Sequence, residues 1–304
     1  MKSLNENIFH QYNKWKKNYV RKENSIKIKL NDFLDKNPSY EDILSISEDG
    51  TCVNCSSSMV IYDGMLINGK FPFPFGKVSG HFNCSECEEL ISLEGAPKEV
   101  GGHFCSSTCP NLTSLVGAPE KVDKNFTCYA CPNLTSLKGA PEKVGGTVLC
   151  YECDSLISLE GAPKEIGGNF KFYLCPNLTS LVGAPKEVGK SFSCNDCPKL
   201  TSLEGAPEKV GGDFSCQRTS IKSLEGAPIN VGGNFICDEV DYLESLEGAP
   251  NHVGGTFSCS KCPSLTSLDG LPTAIDGDLC CGKRFNGEEI PKNTIVNGNI
   301  IYYG

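Results

Sequence analysis

The sequence predicts a repeat solenoid: short parallel strands on one face, an extended, turn-rich back, and a small helical cap at the N-terminus. Three observations carry this expectation. The triplet Gly-Ala-Pro begins at Gly95, Gly117, Gly139, Gly161, Gly183, Gly205, Gly226 and Gly248, with Gly-Leu-Pro at Gly270, so the chain repeats every 22 residues with a single step of 21. Within each unit a Phe-x-Cys alternation has the period of a half-buried strand. The Pro of each triplet, and the Gly-Gly before most of the Phe positions, forbid a regular helix on the return path.

Taken in order, residues 1–50 read as a basic helical cap. Leu4, Ile8, Tyr12, Trp15 and Tyr19 recur at helical spacing, with Lys14, Lys16, Lys17, Arg21 and Lys22 mostly around them. A second short helix is expected over residues 29–34, and a third from Tyr40 to Leu44 with Ser39 as its N-cap. An apolar stripe holding the only Trp is most simply the cover that a solenoid needs over its first coil. Residues 51–80 read as a degenerate first coil, because Pro74, Val78, Gly80 and Phe82 echo the Pro, Val, Gly and Phe of later units.

Residues 81–285 form the regular solenoid. The unit from Phe126 to Val148 shows its parts: Phe126 and Cys128 in a short strand, Cys131, the pair Leu134 and Leu137, the Gly139-Ala140-Pro141 turn, and Val144 before two glycines. One such unit cannot bury its own apolar face, so it must stack on its neighbours. Residues 286–304 form a C-terminal cap, strand-like from Asn293 to Tyr303 with Asn297-Gly298 as a turn, suited to closing the last edge.

Composition narrows the class further. The chain has 304 residues, 39% hydrophobic and 21% charged, too apolar for a disordered protein. No stretch reaches the roughly 18 to 20 apolar residues of a membrane span, and the first thirty residues are too polar for a secretory signal, so a cytoplasmic location is expected. The net charge of −9 divides into +5 over residues 1–36 and −14 over the remainder. An acidic body disfavours nucleic acid, except through the basic N-terminal segment.

Fifteen of the nineteen cysteines fall in two columns, two and five residues after the Phe position. Ser106 and Phe172 replace Cys in the first column, and Thr219, Val240 and Arg284 in the second, substitutions that suit packing and would dismantle a ligand set. The thiols are therefore expected to point inward as small hydrophobes. The rival is zinc, since C-x-x-C pairs such as Cys128/Cys131 and Cys150/Cys153 lie on neighbouring coils. A single capping zinc on Cys52, Cys55, Cys84 and Cys87 is the other metal reading, although the gap between the pairs exceeds the usual 15 to 20 residues. No metal or other cofactor is favoured.

The unit resembles leucine-rich repeats. Phe126 and Cys128 match the two strand hydrophobes, Cys131 the Asn/Cys position, and Leu134 and Leu137 the leucines that follow. It is similar also to the helix-free repeats of bacterial effectors and to Gly-Ala-Pro repeat proteins of tailed phages and bacteria. The resemblance covers about two thirds of the chain and implies a protein-binding role. The ubiquitin-ligase activity of some such effectors resides in a separate catalytic domain, and only about twenty residues follow the last coil here, so it is not carried over.

The expected function is therefore a non-enzymatic protein-binding module, a phage or bacterial factor engaging a host or defence protein, in the cytoplasm of its own or a host cell. On the strand face, three residues after the Phe position, Tyr129, Tyr151 and Tyr173 would form a ladder, flanked by Leu149 and Lys171. Tyrosine suits a binding hot spot, so these five residues are the candidate partner-binding patch. A ladder that only stabilises adjacent coils is the competing account. Small-molecule or nucleotide sequestration and a metal-stapled assembly role are the alternative functions. An enzyme is not expected: His10, His81, His103 and His252 pair with no nucleophile, and the Gly-Gly pairs are not phosphate loops.

Overall fold

The computed structural model describes residues 2–303 and is a parallel β-solenoid of about eleven turns with a single helix before it. Each regular coil contributes two strands, most of them two residues long. One begins at the Phe position, as in Phe126–Thr127. The other holds the Val before the glycines, as in Lys143–Val144. The Phe strands stack into one continuous twelve-stranded sheet running from Met59–Val60 to Ile300–Tyr303. The Val strands form a seven-stranded sheet ending at Glu165–Ile166 and a six-stranded sheet beginning at Glu187–Val188. The back is therefore not only turns: Val at a constant offset puts equal backbone conformations one above another, and they pair in register.

Between the two sheets lies one dry core. Phe104, Phe126, Val148, Phe170 and Phe192 line it from one side and Val122, Val144, Ile166 and Val188 from the other, with paired leucines such as Leu134 and Leu137 at the third corner. The Phe rings of successive coils stack with centroids 5.1–5.7 Å apart and interplanar angles of 6–13°, except between Phe170 and Phe192. Such ladders bury about 150–250 Å² per ring and make coil upon coil the unit of stability.

Polar side chains tie the corners. In most coils the residue before the Phe is a short acceptor that takes the backbone N–H of its equivalent one coil later: His103 Nδ1 accepts from Asn125, Asn125 Oδ1 from Thr147, Thr147 Oγ1 from Asn169, and Asn169 Oδ1 from Ser191, at 2.9–3.3 Å. In the Cys-Pro-Asn phrases, proline removes a donor and the Asn side chain supplies one. Asn133 Nδ2 donates to Pro110 O at 2.7 Å, and Asn177 Nδ2 to Asp154 O at 2.8 Å. In most coils the Ser of the Leu-x-Ser-Leu phrase accepts the N–H two residues on, as Ser114 does from Val116, which closes the turn before Gly-Ala-Pro.

At the N-terminus one helix, Lys2–Lys36, replaces the two expected between residues 4 and 34. No Gly or Pro interrupts that segment, and the helix ends where Asn37 precedes Pro38. Ile26, Leu30 and Phe33 are buried over the first coil, with Phe33 edge-on to Phe73 at 5.3 Å. The side chains of Leu4, Ile8, Tyr12, Trp15 and Tyr19 lie outside the described residues. The expected third helix is a 3-10 turn, Pro38–Tyr40, followed by the strand Leu44–Ile46, which pairs antiparallel with Val53–Cys55 and so is held extended. At the other end Ile295–Val296 and Ile300–Tyr303 join separate sheets in parallel, so Asn297-Gly298 turns a coil corner instead of a hairpin. No helix is long and apolar enough to cross a membrane among the described residues.

Candidate interaction face

Both cysteine columns face the interior. Seventeen of the nineteen thiols are buried, and only Cys52 and Cys105 are partly exposed. The column five after Phe has a defined task. Its sulfur donates to the carbonyl of the residue two after Phe in the previous coil, as Cys131 does to Ser106 at 3.2 Å and Cys153 to Cys128 at 3.3 Å. Thr219 satisfies the same corner differently, donating its hydroxyl to Cys216 O at 2.8 Å, and Arg284 reaches Cys262 O at 2.6 Å. Burial pushes Cys87 and Cys109 up to about 12 and Cys131 and Cys262 up to about 11, so these are protonated donors and poor nucleophiles.

Three of the four cysteines considered for a capping zinc have separate hydrogen-bonding roles. Cys55 lies in a Val-side strand and donates to Ser57 O. Cys84 lies in the Phe-side core and donates to Cys105 O. Cys87 donates to Ile61 O from the corner. No group of three or more His, Cys, Asp or Glu could hold a metal ion among the described residues. Under native conditions a thiol reagent is expected to modify Cys52 and Cys105 quickly and the other seventeen only on unfolding. Rapid modification of many more thiols in the folded chain would contradict the interior placement.

The residues named for partner binding do form one patch on the outer side of the Phe-strand sheet. Tyr129, Tyr151 and Tyr173 stack with ring centroids 4.5 and 4.7 Å apart and planes within 3°. Each ring is half-buried, so its hydroxyl edge remains available. Burial, then the neighbouring Tyr129 and Tyr173, raises the pKa of Tyr151 and keeps the phenol neutral. Leu149 and Lys171 pair in register on adjacent strands beside the ladder, both half-buried.

The same face changes character to either side. Towards the C-terminus it consumes its own polar groups: Asn195 Oδ1 accepts from Ser215 Oγ and from the N–H of Gln217, and Asp238 Oδ1 from Ser258 Oγ and the N–H of Ser260, at 2.6–2.9 Å. Towards the N-terminus it carries the small side chains of Ser85, Ser107, Cys105 and Thr127 with Asn83, and ends at Val60 and at Tyr62, whose hydroxyl donates to Asn37 Oδ1 at 3.0 Å. The tyrosine stretch is the part with large amphipathic side chains and no internal hydrogen bonds at its tips.

Sequence reasoning missed the corner beside this ladder. In nine successive coils the residue four after the Phe position is left-handed, from Glu86 through Ala130, Glu152 and Leu174 to Lys261, with φ between 50° and 60°. These positions carry no glycine and therefore no sequence signal. Each costs about 1 kcal/mol or more, offset by an inter-coil bond such as Ala130 N–H to Tyr151 O at 2.8 Å. Late in the row Arg218 bridges Asp196 and Glu239, and Lys261 joins Glu239, at 2.7–3.2 Å.

The histidines offer no catalytic arrangement among the described residues. His81 and His103 stack at 4.7 Å within the acceptor row, and burial, then His81 and Lys124, lowers the pKa of His103. His252 contacts Asp276 at 2.9 Å on the surface, and the His10 side chain lies outside the described residues. Comparison with protein-family profiles, with curated proteins and with solved structures finds no match to this chain.

Proposed function

We propose that the protein is a non-enzymatic binding module that holds a protein partner on the outer face of its Phe-strand sheet, through Tyr129, Tyr151, Tyr173, Leu149 and Lys171. The observation that carries the reading is the tyrosine ladder itself. Three parallel rings present a rigid amphipathic ridge, with few rotors left to freeze on binding, flanked in the same column by Ser85 and Ser107 on one side and by the internally bonded Asn195 and Asp238 on the other. The coils are read as helix-free relatives of leucine-rich repeats, of the kind found in phage and bacterial proteins. Nineteen unpaired thiols suit a reducing cytoplasm, its own or a host's.

The test uses the chain and its Tyr129→Ala/Tyr151→Ala/Tyr173→Ala variant as baits in extracts of the cells that make the protein, with unfolding measured alongside. A partner that binds the chain and loses about 2 kcal/mol or more, roughly thirtyfold in affinity, on the folded variant supports the reading. A partner held equally by both, with only the stability of the variant lowered, leaves the ladder a stabilising element and overturns the proposed face.

A further inference from the structure

The Val-strand side is split at one step only, between Glu165–Ile166 and Glu187–Val188, while the Phe-strand sheet runs through the same step unbroken, Val148 pairing with Phe170. Several features mark an opening there. Successive coils along this corner are joined by bonds such as Glu142 N–H to Glu120 O at 3.1 Å, Lys164 N–H to Glu142 O at 3.0 Å and Glu208 N–H to Lys186 O at 2.8 Å, yet no hydrogen bond joins Lys186 or Glu187 to Lys164. The next bond along, Gly189 N–H to Ile166 O, is stretched to 3.2 Å where its equivalents measure 2.9–3.0 Å. A Cβ built on Gly189 would lie 2.8 Å from Gly167 O, against 2.2–2.4 Å at Gly101, Gly145, Gly167, Gly211, Gly232 and Gly254. A groove of about 1000 Å³ lies over the step, floored by Ala162, Pro163, Ile166, Ala184, Pro185 and Val188.

Surface charge does not explain the split. Lys164 over Lys186 and Glu165 over Glu187 stack like on like, but so do Glu120 over Glu142 and Lys121 over Lys143, where the sheet is intact. Lys190 in place of the second glycine does not explain it either, because Lys124 makes the same replacement beside paired strands. What is particular to this step is inside. Phe172 stands where the other coils carry Cys or Ser, and it packs edge-on against Phe170 at 5.1 Å and Phe192 at 5.0 Å. Phe170 and Phe192, elsewhere a stacked pair, stand at 77° and 5.8 Å. A ring in a slot shaped for a thiol needs room, and a close-packed core supplies it by parting its walls.

We propose that Phe172 is a built-in wedge that makes this step the hinge of the solenoid. The coils up to Ile166 and those from Val188 onward move as two stiff segments about the continuous Phe-strand sheet, opening and closing on the Val-strand side. Tyr151 lies on the coil before this step and Tyr173 on the coil after it, so the hinge acts across the tyrosine ladder itself, beside the pair Leu149 and Lys171. A partner covering both sides of that step binds one bend of the solenoid better than another.

Amide hydrogen exchange on the full chain tests this. After correction for intrinsic rates, the amides of Lys186 and Glu187 are expected to exchange on the order of tenfold faster than those of Glu142, Lys164, Glu208 and Lys209, which all donate to the preceding coil. Phe172→Cys, the residue most coils use, should remove the difference. Val148→Phe/Phe172→Cys gives both positions their commonest residue, should the single change leave a void beside Val148. Equal protection at all six amides in the unaltered chain, or persistent fast exchange at Lys186 and Glu187 in either folded variant, overturns the hinge.

Discussion

Raising the pH above about 9 is expected to unfold the protein steeply, because its core is built from thiols that keep their protons only while folded. Burial holds Cys87 and Cys109 at about 12 and Cys131, Cys262 and Cys281 at about 11, whereas an unfolded cysteine ionises near 8.5. Above that value the unfolded chain binds fewer protons than the folded one, so stability falls as pH rises. The full contribution is present below the unfolded value, and the loss is complete only once the folded values are passed. Between about pH 9 and 11 each such thiol withdraws about 1.4 kcal/mol per pH unit, and five together about 7 kcal/mol, comparable with the whole net stability of a domain. Circular dichroism and thiolate absorbance followed against pH should change together, in one transition. Thiolate absorbance beyond what Cys52 and Cys105 can supply, appearing near pH 9 in a chain that keeps its circular dichroism, would contradict the account. Valine at positions 87, 109 and 131, a residue the solenoid itself uses at Val240, should move the transition to higher pH.

How far the sequence foretold this molecule depends on what each position repeats. Inward cysteines were legible because their two columns tolerate Ser106, Phe172 and Val240, none of which could complete a metal-ligand set. The acceptor row before each Phe was not legible, since His103, Asn125, Thr147, Ser191 and Asp213 differ in size and charge and share only a short side-chain acceptor. The Val strands were missed for a related reason. Two residues of extended backbone carry no alternation to read, and only stacking in register makes them strands. The third helix failed at Leu44, where pairing with Cys55 overrode local preference. The tyrosine ladder was legible from its register alone, whereas the hinge across it needed the rings of Phe170, Phe172 and Phe192 to be seen together.

Replacing Gly139 with alanine is expected to cost about 4 kcal/mol or more, against about 1–2 kcal/mol for the same change at Gly287. Both glycines are left-handed, with φ of +92° and +94°, so both substitutions carry the same backbone strain. They differ in what stands opposite. A Cβ on Gly139 would lie 2.5 Å from the Leu115 carbonyl and from Val116 Cα in the preceding coil, while one on Gly287 meets nothing within 4 Å. The obstacle at Gly139 is backbone held by its own turn, Ala118 N–H to Leu115 O at 2.9 Å, and cannot swing aside as a side chain would. Relief therefore requires the two coils to separate, which loosens the stacked Phe104 and Phe126 rings and the bonds between their strands. Because each coil rests only on its neighbours, urea unfolding of Gly139→Ala should show a lower midpoint and an earlier loss of protection in the coils around Phe104 and Phe126. Equal midpoints for the two variants would mean that the coils yield at this corner, and that the closeness of their backbones is not what selects glycine there.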